Sequence, residues 1–312
     1  MNKNICFSVL LFLVCILSIS AISAAENTAH GEVINEDNNK INTLETNIPN
    51  DNILKSKANF EINLEENNDD NIDKSGNDET TTDNDDELSF TDLNMVINGN
   101  ANSTIYLYND YKYDEYKDSN FQDGIYISRD LTIYGNGVTI DGNHMAKIFN
   151  LIDSKLNVNF YNIKFINGYT STGKGGAIIG GNAYNCNFIN NYANYGGGAI
   201  YAGNAYDCIF VQNKADYDGG AINYGNAYNC TFIENEAKKN GGAIYGGNVN
   251  GCIFINNTAE KGGAMRDSEA TSCIFIQNIA ETYGGSIYFG NATNCIFQNN
   301  NAKKKWWGIK SR

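Results

Sequence analysis

Downstream of residue 89, apolar and polar side chains alternate over short runs that Asn, Asp and Gly interrupt every few residues. Thr104-Ile105-Tyr106-Leu107, Gly124-Ile125-Tyr126-Ile127, Leu131-Thr132-Ile133-Tyr134, Val138-Thr139-Ile140, Lys147-Ile148-Phe149 and the run 156–165 each read as short strands. Turn signals such as Gly135-Asn136-Gly137 and Asp141-Gly142-Asn143 separate them. Helical spacing occurs once: Phe90, Leu93, Val96 and Ile97 predict a short amphipathic helix over 90–97. Its expected place is over the open end of the strand-rich region, because a stack of repeats needs a cap.

From residue 175 the pattern becomes periodic. Gly-Gly-Ala (once Gly-Gly-Ser) recurs with its third residue at Ala177, Ala199, Ala221, Ala243, Ala264 and Ser286, at spacings of 22, 22, 22, 21 and 22. Nine residues on from each stand Cys186, Cys208, Cys230, Cys252, Cys273 and Cys295. Two further on come Phe188, Phe210, Phe232, Phe254, Phe275 and Phe297, and three beyond those Asn191, Asn213, Asn235, Asn257, Asn278 and Asn300. An Ala closes each unit, from Ala193 to Ala302.

The repeated residues are small, or flat and apolar, and Cys and Phe two apart share one face of a strand. Gly-Gly permits a crowded turn. One 22-residue unit therefore makes one ring of short strands, and the next stacks about 4.8 Å away. This is an all-β parallel β-helix with 22-residue coils, in which like residues form Cys, Phe and Asn ladders and the Asn amides pair from coil to coil. No single coil buries its own apolar face, so stability is a sum over neighbours. The residue after each repeat Ala varies freely (Asn194, Asp216, Lys238, Glu260, Glu281), which marks a solvent-facing turn. The one-residue deletion falls there, between Ala259 and Gly262, as it must: inside a strand it would flip every later side chain.

The rest of the chain divides by composition. Residues 1–25 read as a secretory signal: Lys3, an apolar run over 5–22, and Ser23-Ala24-Ala25 as the cleavage site. The alternative is an uncleaved anchor, the only expected contact with a membrane, since the run is long enough to span one. Residues 26–87 form an Asn-rich acidic tether expected to be disordered. Residues 26–90 carry 18 acids against 4 bases, a net of −14, whereas 91–312 carry 18 against 17. The acidity thus belongs to the leader, and no basic face for nucleic acid exists. Residues 88–174 read as an N-terminal cap with irregular coils and 175–302 as the regular repeats. Residues 303–312 form a basic tail in which Trp306 and Trp307 either cap the last coil or belong to a truncated or frame-shifted end.

Candidate chemistry is sparse. Export favours disulfides, but ladder side chains run parallel instead of converging, so the six cysteines are expected as buried thiols. Zinc lacks a ligand set: no Cys-x-x-Cys occurs, and the histidines are His30 and His144. No calcium-binding repeat pattern is present, and no cofactor is called for. Among acids of the repeats, only Arg266-Asp267 with Glu269 breaks the pattern as a cluster, and it is the one candidate for a catalytic site. Tyr184, Tyr206 and Tyr228 in Asn-Ala-Tyr, and Tyr201, Tyr245 and Tyr288 after Gly-Gly-Ala-Ile or Gly-Gly-Ser-Ile, form columns that become flat ligand strips if they face outward. Asn102, Asn256 and Asn291 open glycosylation sequons.

Gly-Gly-Ala-Ile at 175–178, 197–200, 219–222 and 241–244, with Phe-x-x-Asn, resembles the repeats of chlamydial polymorphic outer-membrane proteins. The stretch 131–143 with Phe165-Ile166-Asn167-Gly168 resembles the opening of adhesin-like, Asn/Thr-rich surface proteins of methanogenic archaea. The resemblance covers about residues 88–302. It implies a right-handed, pectin-lyase-like solenoid, secreted or at the cell surface, non-enzymatic, with an adhesive role toward surface glycans or proteins. Neither the outer-membrane barrel of the chlamydial proteins nor the further modules of the archaeal ones is evident. A structural coat spacer and a polysaccharide lyase or glycoside hydrolase are the alternatives, and an enzyme demands non-repeating polar residues gathered on one face.

Overall fold

A computed structural model describes residues 88–99 and 101–304. The expected signal segment 1–25, the tether 26–87, and Trp306 and Trp307 lie outside the described residues.

The chain winds into an all-β parallel solenoid of about eight turns. Register follows the repeat: Phe165, Phe188, Phe210, Phe232, Phe254, Phe275 and Phe297 pair in succession. The pairs belong to a nine-stranded sheet, and a seven-stranded sheet lies along the turn that follows each ladder Asn. The 15-stranded sheet consists of two flanks, joined where Ile244–Asn250 and Met265–Thr271 run straight through a corner that other coils bend. Opening coils are longer, with Thr104 opposite Thr132 and Leu131 opposite Val158, before the step settles to 22. The missing residue of the short coil produces a register shift between Ala237 and Asn240, in the expected turn.

Asparagine abundance has a backbone cause. Asn185, Asp207, Asn229 and Asn294 turn the chain before their cysteines, and Asn190, Gln212, Glu234, Asn256 and Asn299 before the ladder Asn, all with φ between 51° and 56°. Asn and Asp tolerate that left-handed region best after Gly. The first Gly of each Gly-Gly pair takes a similar conformation. The second packs so closely that a Cβ on Gly176, Gly198 or Gly220 would overlap the carbonyl of the next coil.

The interior is a set of columns. Phe rings stack at 4.7–4.9 Å from Phe165 to Phe297. Each buried ring contributes about 1.5–3 kcal/mol. Beside them the Asn ladder is fully satisfied. Asn213 Nδ2 donates to Asn235 Oδ1 (3.0 Å) and to Phe188 O (3.0 Å), while its Oδ1 accepts from the backbone and side chain of Asn191.

The N-terminal end is closed by a helix, Phe90–Asn98, that buries Phe90, Leu93 and Ile97 against the first coil. Ser89 and Asp92 form a capping box. Asp118, fully buried, reinforces it: its carboxylate accepts from the N–H groups of Phe90 (2.9 Å), Thr91 (2.8 Å) and Asp114 (2.9 Å) and from the Thr91 hydroxyl (2.8 Å). In the last described coil Ile296 is 48% and Phe297 42% exposed. Among the described residues no helix is long and apolar enough to cross a membrane.

Candidate functional site

The ladders singled out in the sequence are scaffold. Cys186, Cys208, Cys230, Cys252 and Cys273 are buried, Cys295 is partly so, and all six are free thiols. The Cys230 thiol accepts the Cys208 N–H (3.4 Å) and donates to Tyr228 O (3.2 Å). Burial pushes the Cys208 and Cys252 thiols well above their ordinary range, so they pack as neutral small groups. Among the described residues no group of His, Cys, Asp or Glu is arranged to hold a metal ion.

Tyr184, Tyr206 and Tyr228 lie on the outer face, half-buried, in one continuous column. That column extends to Tyr161, Tyr134 and Tyr106, which pattern reading missed because the longer opening coils hide the period. Its form differs from a flat strip. The rings stack on one another at 4.6–5.2 Å, so their faces are taken and the column offers ring edges and hydroxyls. A second amide row runs alongside: Asn182 donates to Asn159 (3.1 Å), and Asn204 to Asn182 (3.0 Å).

Tyr201, Tyr245 and Tyr288 share one column too, but they are not neighbours in it. Asn223 stands between Tyr201 and Tyr245, and Arg266 between Tyr245 and Tyr288. The Arg266 guanidinium carbon lies 5.9 Å from the Tyr245 ring and 5.4 Å from the Tyr288 ring, a cation held between two π faces. Phe289 adds a third ring at 5.8 Å.

The polar residues that break the repeat converge here. Across the Gly-Gly turn runs the column Lys174, Gly196, Asp218 and Asn240. Arg266 Nη1 donates to Asn240 Oδ1, and Asn240 Nδ2 donates to Asp218 Oδ1 (2.6 Å). Arg266 Nε lies 3.3 Å from Asp267 Oδ2. Lys174 Nζ donates to the Tyr201 hydroxyl (2.8 Å). Asp218, two coils upstream of Arg266, was not singled out in the sequence, and only the register brings it there. Glu269 pairs in register with Asn248 and Asn291, on the flank that carries the outer amide row.

Residues 185–203 and 229–247 match the Chlamydia polymorphic membrane protein repeat. Each matched stretch begins before a ladder cysteine, passes through the Gly-Gly turn and includes one tyrosine of the outer column, Tyr201 or Tyr245. The likeness is thus to the repeat unit. Among curated proteins nothing matches the chain.

The furrow's electrostatics suit holding better than proton exchange. Burial pushes the Asp218 carboxyl above the ordinary carboxylate range, while the Asn240 amide and the Arg266 charge pull it back. Asp267 is paired with the same guanidinium. Asp218 reaches the guanidinium only through the Asn240 amide. What the furrow offers is aromatic surface with hydrogen-bonding groups at fixed depth.

Proposed function

We propose that this protein is a non-enzymatic, adhesin-like protein of the cell surface whose solenoid presents its side to glycans, cells or other surface proteins. One observation carries the reading: the ladder residues that the repeats share point inward, while the outer column beyond the Gly-Gly turn differs from coil to coil. Ala, Cys, Phe and Asn of the ladders are buried in coil after coil. The outer column meanwhile reads Ile179, Tyr201, Asn223, Tyr245, Arg266, Tyr288. Such a scaffold keeps its stability while its exterior is free to specify a partner. The repeat match, to a family named for membrane proteins, supports a surface location.

The test is retention of the full-length protein, coupled to beads, on cells and on arrayed cell-wall polysaccharides and host glycans, with spot integrity measured afterwards. Selective retention on intact spots is expected. Eroded spots would transfer the assignment to a polysaccharide-active enzyme, and absence of retention everywhere to a structural spacer.

A further inference from the structure

The furrow contains a buried polar atom that the protein itself leaves without a partner. Asn223 follows Ile222, which points into the core, so its side chain lies on the outer face, yet only 5% of the residue is exposed. Its Nδ2 donates to Asp218 O (3.2 Å), while its Oδ1 is buried with no hydrogen-bond partner. The donation to a carbonyl fixes the amide's orientation, because the flipped amide would set oxygen against oxygen. Burying an acceptor without a donor costs the full loss of its hydration. Room for the amide comes from Gly196, where a Cβ would overlap Asn223 Nδ2.

The residue that follows Asn223 is Tyr224. Its ring stands edge-on between those of Tyr201 (6.1 Å, 88°) and Tyr245 (5.4 Å, 80°). Those two walls are two coils apart, roughly 9–10 Å. Tyr224 itself is 56% exposed and sits at φ 57°, in a corner column where Ala202 and Gly246 are its neighbours and Gly180, Asp267 and Phe289 stand farther along. A bulky aromatic there is strained, and strain of this kind gathers at ligand sites.

We infer that Tyr224 is a stand-in for a ligand ring, and that the slot between Tyr201 and Tyr245 binds one unit of a neutral saccharide when Tyr224 swings out. The inference rests on the adhesin-like reading and names its ligand class. A pyranose is about as thick as the gap left between two aromatic faces, and its C–H faces suit those walls while its hydroxyls suit a polar floor. A hydroxyl donates to Asn223 Oδ1 and satisfies it. Across the Gly-Gly turn from the slot lie Asp218 and Asn240, which can take further hydroxyls. A neutral sugar fits better than an acidic one, because the charges here already balance, Lys174 and Arg266 against Asp218 and Asp267. The slot is one ring wide, too narrow for a folded protein surface.

The experiment is calorimetric titration of the full-length protein with neutral hexasaccharides of glucose, mannose, xylose and N-acetylglucosamine, and with oligogalacturonate, alongside the bead assay. At least one neutral saccharide is expected to bind, and oligogalacturonate is not. Asn223→Ala should weaken binding about tenfold, the loss of one hydrogen bond. Tyr224→Gly should strengthen it several-fold, by removing the competing ring and relieving a position where neighbouring coils carry Ala and Gly. Circular dichroism confirms that both variants fold. Binding that Asn223→Ala and Tyr224→Gly leave unchanged overturns the slot, as does a weakening by Tyr224→Gly. Retention on cells or proteins with no saccharide bound overturns the slot and leaves the adhesin-like reading standing. Retention on no surface overturns both.

Discussion

Asn213 Oδ1 accepts two hydrogen bonds from Asn191, one from its backbone N–H (3.1 Å) and one from its side-chain amide (2.9 Å). The relation recurs from Asn213 to Asn235, Asn235 to Asn257, Asn257 to Asn278 and Asn278 to Asn300. Removing one amide in mid-ladder therefore orphans groups in two coils. Asn235→Ala leaves the Asn213 amide and backbone N–H without their acceptor and Phe210 O without its donor. The expected loss is about 3–5 kcal/mol, read from urea unfolding midpoints. Asn300→Ala should cost less, because Asn300 is only partly buried and water replaces part of what is lost.

The N-terminal cap hangs on one carboxylate. Asp118→Ala leaves the donors of Phe90, Thr91 and Asp114 facing an apolar interior. Hydrogen bonds to a charged group are worth about 1.5–3 kcal/mol each, and the helix N-terminus adds to their strength. The loss should be local, because ladder coils hold one another independently of the cap. Hydrogen exchange at Leu93 and Ile97 is expected to speed up by more than about a hundredfold, while amides of the coil at Phe232 keep their protection.

Sequence reading reached the solenoid because the ladders are repeated, and repetition exposes inward-facing positions. It located the one-residue deletion, the helix over 90–97 and the coil-to-coil amides from the same logic. The furrow was only half legible. Arg266 and Asp267 showed as a break in the repeat, but Asp218 and Asn240 sit in earlier coils at a position that varies in every unit. Tyr201 and Tyr245 were expected to share one column, and a spacing of two coils puts Asn223 between them. Tyr224 gave a fainter signal: a tyrosine where neighbouring coils have Gly or Ala in a left-handed corner. The stacking of the Tyr106–Tyr228 column depends on ring rotation, which no periodicity encodes.

The cysteine ladder should behave as packing, not as chemistry. Cys186, Cys208, Cys230 and Cys252 are buried between coils where a reagent cannot reach them, and burial pushes the Cys208 and Cys252 thiols up, whereas alkylation needs the thiolate. Treatment of the native protein with iodoacetamide, followed by mass spectrometry, should leave Cys186, Cys208, Cys230 and Cys252 unmodified. Cys295, partly exposed in the last described coil, is expected to react first. Early modification of Cys230 would mean that the coils part far more readily than their packing implies.

Tyr245 supplies a spectroscopic report on the furrow. Its hydroxyl is pushed up to about 12 from 10.0, first by burial and then by Tyr224 beside it. Below the ordinary value both folded and unfolded chains hold this proton. Between 10.0 and about 12 the unfolded chain releases it and the folded one does not, so folding stability falls as pH rises through that window. The difference in tyrosinate absorbance between the parent protein and Tyr245→Phe should therefore titrate near the upper end. In Tyr224→Gly, which uncovers the ring, the Tyr245 titration should move back toward 10.0. A parent Tyr245 that already titrates at the ordinary tyrosine value would mean that Tyr224 does not rest in the slot in solution.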